Sequence, residues 1–334
     1  MATVLSQARD SLVTLQQHSL AGLLTAIGSI WTAYKLTQLW SFVHLHFLHQ
    51  SGLKKYAGTS ERTWALISGA SDGIGKGYAE ELCDQGFNVI IHGRNETKLN
   101  KVKQSLQQRW PAAQVEILVL DAAESANDPS KLEAAASRFK EHEIRILINN
   151  VAHIPTPLYA TLHESSGLNV SNGVNASALF PTQLTRAFLP TFISRKQPAL
   201  VINIGSAASE IQIPYLSVYC GVKAYNKVWS EALRTELWAE GYHHIEVLHF
   251  LVGEVVSATP PGRKVSLASP SSRDFARASL GKVGCGKGVV WGWWVHEAML
   301  KGLLGVMPKV LVRKMMVETV SKVKRVQDAE AKRA

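Results

Sequence analysis

Cysteine is scarce in this sequence, and the cysteines show no paired spacing. The 334-residue chain contains only Cys83, Cys220 and Cys285. Three scattered thiols exclude a disulfide framework, and they favour a reducing compartment. We therefore expect a chain that is stabilised by an apolar core, without a metal site.

Acidic residues are also few relative to basic ones. Asp and Glu total 26 against 36 Lys and Arg, which gives a net charge of +10, and the excess is concentrated in residues 309–325. Basic residues beside the apolar stretch 300–312 suit an anionic membrane surface. The aromatic stretch 289–295 fits the same surface, or it packs over a substrate cleft. No recognition motif accompanies the charge, so we expect no nucleic-acid partner.

The N-terminal region lacks charge over long stretches. Residues 11–34 and 36–53 contain no Asp, Glu, Lys or Arg. About 20 apolar residues span a bilayer. The pattern therefore predicts a membrane anchor with a transmembrane helix over about residues 18–42, rather than a soluble amphipathic helix. Lys35, Lys54 and Lys55 on its C-terminal side favour a cytosolic catalytic region.

Beyond residue 60, short apolar runs alternate with helical patterns. Apolar runs predict strands, and the intervening stretches predict helices at 96–109, 129–140, before Pro190, and 218–238. Such alternation predicts an α/β fold with a doubly wound parallel sheet. The predicted strands are 63–67, 88–92, 115–120, 144–148, 199–204 and 245–248. Ligands of such sheets bind beyond the carboxyl ends of the strands, where Gly69, Arg94, Asp121, Asn149 and Ser206 all fall.

A glycine-rich turn joins the first predicted strand to a helical pattern. Gly69, Gly73 and Gly75 stand as Gly-x-x-x-Gly-x-Gly directly after the strand. Backbone N–H groups and the helix dipole would face a pyrophosphate there, and the glycines would let it come close. The turn predicts a dinucleotide site with contacts from Gly69, Ser71, Asp72, Gly73, Ile74 and Gly75.

A second constellation points to proton transfer. Tyr219 and Lys223 are four residues apart, which places them on one helix face, and Ser206 ends a predicted strand thirteen residues before the tyrosine. Tyrosine has a pKa of about 10, so a nearby cation is needed to lower it. We expect Tyr219 to donate a proton to a carbonyl oxygen, Lys223 to lower the pKa of Tyr219, and Ser206 to hold that oxygen.

Together these motifs resemble the short-chain dehydrogenase/reductase family. The stretch 68–75 is similar to its cofactor turn, Asn149-Asn150-Val151-Ala152 to its Asn-Asn-Ala-Gly motif, and Ser206, Tyr219 and Lys223 to its catalytic residues. The chain looks most like the membrane-bound very-long-chain 3-oxoacyl-CoA reductases and their 17β-hydroxysteroid dehydrogenase relatives. The resemblance implies a Rossmann-type catalytic domain over residues 60–260, after an N-terminal segment 1–55 and before a C-terminal region 261–334.

The resemblance also implies roles for further residues. Lys223 would bind the nicotinamide ribose, while Asp121, Asn149, Tyr219, Val255 and Ser257 would also contact the cofactor. The loop 258–272 would lie over the substrate.

Two positions depart from the family pattern. Ser177 stands where the family has a catalytic asparagine that holds a water, and Val252 replaces a proline. Both departures suggest that the substrate is not the housekeeping acyl-CoA.

The residues after the second strand indicate the cofactor. An acidic residue there would select NAD, whereas this chain has Arg94 followed by Lys98. Arginine pairs with a 2′-phosphate, so NADP(H) is expected.

These observations predict an NADPH-dependent reductase on the endoplasmic reticulum membrane with its catalytic domain in the cytosol. Its substrate would be a hydrophobic ketone, either a 3-oxoacyl chain, a steroid, or a polyketide or terpenoid of specialised metabolism. The resemblance allows a homodimer through family helices.

The alternative is a weakly active or inactive relative that binds cofactor or lipid as a scaffold at the membrane. Ser177 favours this alternative, and the intact Ser206, Tyr219 and Lys223 oppose it.

Overall fold

The structure, a computed structural model, describes residues 2–58, 62–257 and 264–332. The chain divides into two compact units, residues 1–49 and 50–334. Residues 258–263, part of the predicted substrate loop and the place of the predicted boundary at residue 260, lie outside the described residues.

The larger unit is built on a parallel sheet, which has seven strands within the described residues. Their order is β3-β2-β1-β4-β5-β6-β7. Strands β2 and β3 therefore lie on one side of β1 and strands β4 to β7 lie on the other, so the strand order switches between β1 and β4. The strands are β1 Trp64–Ile67, β2 Asn88–Gly93, β3 Val115–Val119, β4 Ile144–Asn149, β5 Ala199–Ile204, β6 Ile245–Leu251 and β7 Val289–Trp291. This is the doubly wound α/β arrangement that the strand–helix alternation predicted.

Helices cover the sheet and connect its strands. In the larger unit they are α2 Gly73–Asp84, α3 Glu96–Arg109, α4 Ala122–Ser125, α5 Pro129–Arg138, α6 Gly167–Val174, α7 Phe180–Arg195, α8 Ser217–Ala239, α9 Ser272–Leu280, α10 Trp294–Val306 and α11 Lys309–Ala331. Because β1, β2 and β5 are buried along their whole length, the sheet is covered on both faces and its polar chemistry is confined to the strand ends.

The aromatic stretch 289–295 has a different structure from the one expected. Val289–Trp291 forms β7, which pairs in parallel with β6 at the edge of the sheet. Val290 and Trp291 are buried, so these two residues belong to the core and not to a lipid-facing surface. The apolar side chains that suggested membrane contact are the ordinary composition of a covered strand.

The smaller unit contains one long helix. Helix α1 spans Ala2–Val43, and a π-helical turn follows at His44–Leu48. None of the helices in the described residues is both long and apolar enough to cross a membrane, so the predicted transmembrane helix over residues 18–42 is not confirmed. Gly22, Thr25, Gly28, Ser29 and Thr32 dilute the leucines and isoleucines of this stretch.

Candidate active site

The glycine turn after β1 forms an anion cradle. Gly69 and Gly73 adopt positive φ angles of 67° and 57°, which L residues with a side chain rarely take. Helix α2 begins at Gly73, and Asp72 caps it by accepting a hydrogen bond from the Gly73 N–H at 2.7 Å. The free N–H groups of the first turn and the helix dipole therefore face the space above β1, as an anion site requires.

The close packing of this turn requires a glycine at position 75. A Cβ at Gly75 would lie 2.3 Å from the Gly69 carbonyl oxygen and 2.6 Å from Asn150 Nδ2. Asn150 donates from Nδ2 to the carbonyl oxygens of Ser68 and Gly69, both at 3.1 Å. The sequence placed Asn150 in a family motif without assigning it a contact; the structure shows that it clamps the turn from the end of β4.

The remaining residues predicted in the turn lie around the same space. Ile74 belongs to the first turn of α2. Ser71 lies next to Gly93 at the end of β2, since a Cβ at Gly93 would be 3.5 Å from its Oγ. Ser257 reaches the turn from beyond β6: a Cβ at Gly73 would lie 3.4 Å from the Ser257 Cβ. Val255 is half-buried two residues before it.

Arg94 and Asp121 lie together at the ends of β2 and β3. The Arg94 Nη1 is 3.9 Å from Asp121 Oδ2, and the Arg94 side chain is 81% exposed. Asp121 is held by capping α4, where its Oδ1 accepts from the N–H of Ala123 at 2.8 Å. Lys98 is exposed one turn into α3. An exposed guanidinium with one long ion pair remains available to a phosphate.

Asn149 points away from this space. Its Nδ2 donates to Thr185 Oγ1 and Asn203 Oδ1, both at 2.8 Å, inside the sheet and helix α7. The side chain is 4% exposed. Its amide hydrogens therefore stabilise the core, and the cofactor contact proposed for Asn149 stays a prediction.

The structure brings the three predicted catalytic residues together. Ser206 follows β5 and caps the short turn 207–209, with its Oγ accepting from the Ala208 N–H at 3.1 Å. Tyr219 and Lys223 lie on one face of α8, with Lys223 Nζ 5.8 Å from the centre of the Tyr219 ring. The Ser206 side chain hydrogen-bonds with Tyr219. A hydroxyl, a phenol and an ammonium group thus meet at one end of the sheet.

The electrostatics of this cluster differ from the sequence-based expectation. Burial raises the pKa of Tyr219, and the hydrogen bond with Ser206 opposes that effect. Burial also lowers the pKa of Lys223 to about 8, while its Nζ donates to the Ile204 carbonyl oxygen at 2.9 Å. Without cofactor, desolvation outweighs the attraction between phenolate and lysine that was expected to lower the tyrosine pKa.

Lys223 gives a pH-dependent stability prediction. Its folded pKa of about 8 lies below the ordinary lysine value of 10.5, so burying the charged form lowers the stability by the full amount below pH 8, and this cost fades as the pH rises from 8 to 10.5. We expect Lys223→Met to raise the free energy of unfolding at pH 7 by about 1–3 kcal/mol. Urea melts at pH 7 and pH 10 measure the difference; an equal effect at both pH values would contradict the assignment.

Ser177 lies in a π-helical turn, Asn175–Leu179, between α6 and α7. It is fully buried. Its Oγ accepts from the His153 N–H at 2.9 Å, and its carbonyl oxygen accepts from Asn226 Nδ2 at 2.7 Å. The serine therefore ties the segment after β4 to helix α8. Sequence reasoning found the departure at this position but not its partners, which are 24 and 49 residues away.

A partly open cavity of about 40 Å³ lies beside Tyr219. Apolar side chains form much of its wall, and His153 and Asn169 face it as a hydrogen-bonded pair, with Nε2 and Oδ1 2.6 Å apart. Its apolar wall includes Pro155, Ala160, Leu162, Val170, Leu216, Val218 and Val222. A carbonyl held at Tyr219 would place the first apolar carbons of its chain against this wall.

Helix α11 supports the outer wall of the cavity. Gln327 accepts from the Tyr159 N–H at 3.1 Å and donates to the Tyr159 carbonyl at 3.0 Å. The Ser321 hydroxyl hydrogen-bonds at 3.1 Å with the hydroxyl of Tyr215, a residue that lines the cavity. The C-terminal region that the sequence assigned to the membrane thus packs against the wall of this cavity. No local sequence signal indicates these pairings.

Comparison with known sequences covers most of the chain. Residues 63–263 match the family model described as short chain dehydrogenase. A very-long-chain 3-oxoacyl-CoA reductase of Neurospora crassa is 33% identical over 283 residues, which cover 81% of this chain and 82% of the relative. One of Pyricularia oryzae is 31% identical and covers 88% and 87%.

Solved structures support the fold. A short-chain dehydrogenase from Sphingobium yanoikuyae in complex with NADPH matches with a TM-score of 0.58 at 22% identity, covering 74% of this chain and 96% of that one. A 7β-hydroxysteroid dehydrogenase matches with a TM-score of 0.66 at 18% identity, covering 79% and 98%.

Proposed function

This chain belongs to the short-chain dehydrogenase family of NAD(P)-dependent oxidoreductases, and we propose that it uses NADPH to reduce the ketone of a hydrophobic 3-oxoacyl thioester. The observation that carries the proposal is the meeting of Tyr219 with Ser206 and Lys223 beside the glycine cradle. It supplies a proton donor, an oxygen ligand and a cation within reach of a dinucleotide site.

The glycine turn fits a dinucleotide because its three glycines bring no side chain of their own into the cradle. Gly69, Gly73 and Gly75 leave the backbone N–H groups at the start of α2 open to a pyrophosphate, and Ser257 flanks them. Lys223 would hold the nicotinamide ribose. NADPH, when bound, supplies the hydride.

The side chains of the site would then carry the proton. Ser206 donates a hydrogen bond to the ketone oxygen, and Tyr219 transfers its phenolic proton to that oxygen as the carbon is reduced. The raised pKa of Tyr219 keeps the phenol protonated before the reaction, which suits a proton donor. Lys223, with a pKa lowered to about 8 by burial, can pass a proton to the phenolate near neutral pH.

The substrate class rests on the cavity and the relatives. The apolar wall beside Tyr219 suits an aliphatic chain. Both relatives described above carry the name very-long-chain 3-oxoacyl-CoA reductase. A 3-oxoacyl chain is therefore favoured over the steroid, polyketide and terpenoid ketones that the sequence also allowed. This proposal sets the relatives above the departures at Ser177 and Val252, which pointed away from the housekeeping acyl-CoA.

The test is NADPH oxidation by purified full-length protein. A panel of 3-oxoacyl-CoA esters of increasing chain length is compared with a steroid ketone and an aromatic polyketide ketone. We expect kcat/KM to rise with acyl length. Preference for a ring ketone would overturn the substrate class, and tight NADPH binding without turnover of any ketone would overturn the enzymatic function in favour of a scaffold.

Arg94 should determine cofactor choice. Its exposed guanidinium at the end of β2 is placed to pair with the 2′-phosphate that distinguishes NADPH from NADH. We expect Arg94→Ala to raise the Kd for NADPH by about 10- to 100-fold and to change NADH binding little. Fluorescence titration with both cofactors measures this, with Arg109→Ala, at the far end of the same α3, as the control. Equal losses for both cofactors would contradict the role.

We further propose attachment to the endoplasmic reticulum membrane with the catalytic unit in the cytosol. Helix α1 exposes large apolar side chains such as Leu24, Ile27 and Trp31 over 55–61% of their surface, which favours contact with lipid. Lys35, Lys54 and Lys55 add positive charge near its C-terminal end. Fractionation of lysed cells tests this; full-length protein in the soluble fraction would contradict it.

A homodimer through the family helices is proposed as well. Helix α8 exposes Tyr225, Val228 and Trp238 by 44%, 65% and 71%, which gives an apolar surface for a second copy. Light scattering after size exclusion should give twice the monomer mass of 36.6 kDa once detergent is accounted for.

A further inference from the structure

The buried face of α8 carries a row of polar side chains. Tyr219, Lys223, Asn226 and Ser230 follow one another at helical spacings, so they project from one side of the helix. Lys223, Asn226 and Ser230 are only 2%, 5% and 1% exposed. Burying polar groups is costly unless they are hydrogen-bonded, so this row must be held by specific partners.

Asn226 has such partners on two sides. Its Nδ2 donates to the Ser177 carbonyl oxygen in the π-helical turn at 2.7 Å. Its own backbone carbonyl oxygen accepts from Ser230 Oγ at 2.5 Å. Ser230 in turn accepts from Asn203 Nδ2 at 2.8 Å, which anchors the row in the sheet. Asn226 therefore fixes the distance between the π-helical turn and the catalytic helix.

The side-chain oxygen of Asn226 has no hydrogen-bond partner among the described residues. This oxygen, Oδ1, is buried. Lys223 lies one turn earlier on the same face, and a lysine ammonium has three hydrogens to donate, of which the Ile204 carbonyl takes one. An unpaired buried carbonyl oxygen and an ammonium with donors to spare thus share one side of the helix.

We propose that Asn226 is a positioning residue of the proton-donating site. Its amide hydrogens hold the Ser177 carbonyl in place, and its Oδ1 accepts a hydrogen bond from the Lys223 ammonium through a water molecule. This arrangement keeps Lys223 protonated, so that after Tyr219 gives up its proton, Lys223 returns one to the phenolate and is itself reprotonated from solvent. The inference rests on the proposed ketone reduction and assigns to α8 the carboxamide that position 177 lacks.

The test compares wild-type protein with Asn226→Leu, which has similar volume but no amide. We expect kcat to fall by about 10- to 100-fold, with the KM for the ketone and the Kd for NADPH unchanged. The solvent deuterium isotope effect on kcat should increase, because proton return becomes slower. Asn127→Leu, an exposed asparagine outside the site, is the matched control and should behave as wild type.

A second variant separates positioning from folding. Adding Ser177→Asn to Asn226→Leu returns a carboxamide to the π-helical turn, and we expect it to restore most of the lost kcat. A kcat for Asn226→Leu within twofold of wild type overturns the inference. So does a loss of kcat that comes with a lower melting temperature and is not rescued by Ser177→Asn.

A measurement without substrate keeps this inference separate from the proposed function. The titration of Lys223 is followed by the NMR chemical shift of its ¹³Cε, identified as the signal that is lost in the Lys223→Met form. Weaker solvation of the Lys223 charge should lower the lysine pKa in Asn226→Leu. An unchanged titration overturns the inference, whereas an inactive wild type that shows the shift overturns only the proposed ketone reduction.

Discussion

Replacing Tyr219 with phenylalanine should lower kcat for ketone reduction by about 10²- to 10⁴-fold, the usual contribution of a positioned proton donor. The change removes the phenolic hydroxyl that acts with the Ser206 side chain and leaves the ring in place. NADPH binding should be largely retained, because the pyrophosphate cradle lies on α2 and Lys223, which would hold the nicotinamide ribose, is unchanged. Single-turnover NADPH oxidation and fluorescence titration measure the two quantities.

Tyr225 on the same helix provides the matched control. Its hydroxyl contacts Thr182 at 3.0 Å, and its side chain is 44% exposed, away from the proton-donating cluster. Tyr225→Phe should leave kcat close to wild type. If Tyr219→Phe retained wild-type kcat, the proton would come from another group and the proposed mechanism would be wrong.

Replacing Gly75 with alanine should disrupt the cofactor cradle. The new Cβ would be placed 2.3 Å from the Gly69 carbonyl oxygen, a contact with backbone that cannot move aside without opening the turn. Overpacking of this kind costs about 1–3 kcal/mol, so we expect a lower free energy of unfolding by that amount. The Kd for NADPH should rise by about tenfold or more, since each 1.4 kcal/mol corresponds to a factor of ten.

Gly302 in α10 is the control for this effect. A Cβ at Gly302 would meet nothing within 4 Å. In an open helical position Gly→Ala stabilises by about 0.5–1 kcal/mol, so Gly302→Ala should shift the urea midpoint in the opposite direction. Wild-type NADPH affinity in Gly75→Ala would show that the turn tolerates a side chain and that the pyrophosphate binds elsewhere.

Local sequence patterns were sufficient for most of the sheet. The predicted runs at β2 and β5 agree with the structure to within one residue, because covered parallel strands are continuous apolar segments with polar ends. The sequence analysis did not predict the short edge strand β7, because a short apolar segment has more than one structural interpretation. Its aromatic residues also fit a membrane surface, and only pairing with β6 distinguishes the two.

Side-chain directions and charge effects could not be taken from the sequence. Without cofactor the pKa of Tyr219 is raised, and the sequence does not show this, because burial depends on the whole fold whereas the spacing to Lys223 is local. Asn149 and Asn150 are adjacent and identical in type, yet one is directed into the core and the other clamps the glycine turn. Successive side chains along an extended segment point to opposite faces of a sheet, so these two neighbours are directed to different surroundings.

The sequence by itself determined the family, the doubly wound sheet, and which residues supply hydroxyl, phenol and ammonium groups. These follow from periodicity and from motifs whose members are close along the chain. Only the tertiary structure decided how Ser177 is held by Asn226, how α11 supports the cavity wall, and how burial shifts the pKa of Tyr219 and Lys223. Those features depend on contacts between segments 49 to 168 residues apart, and on desolvation that exists only once those segments have packed.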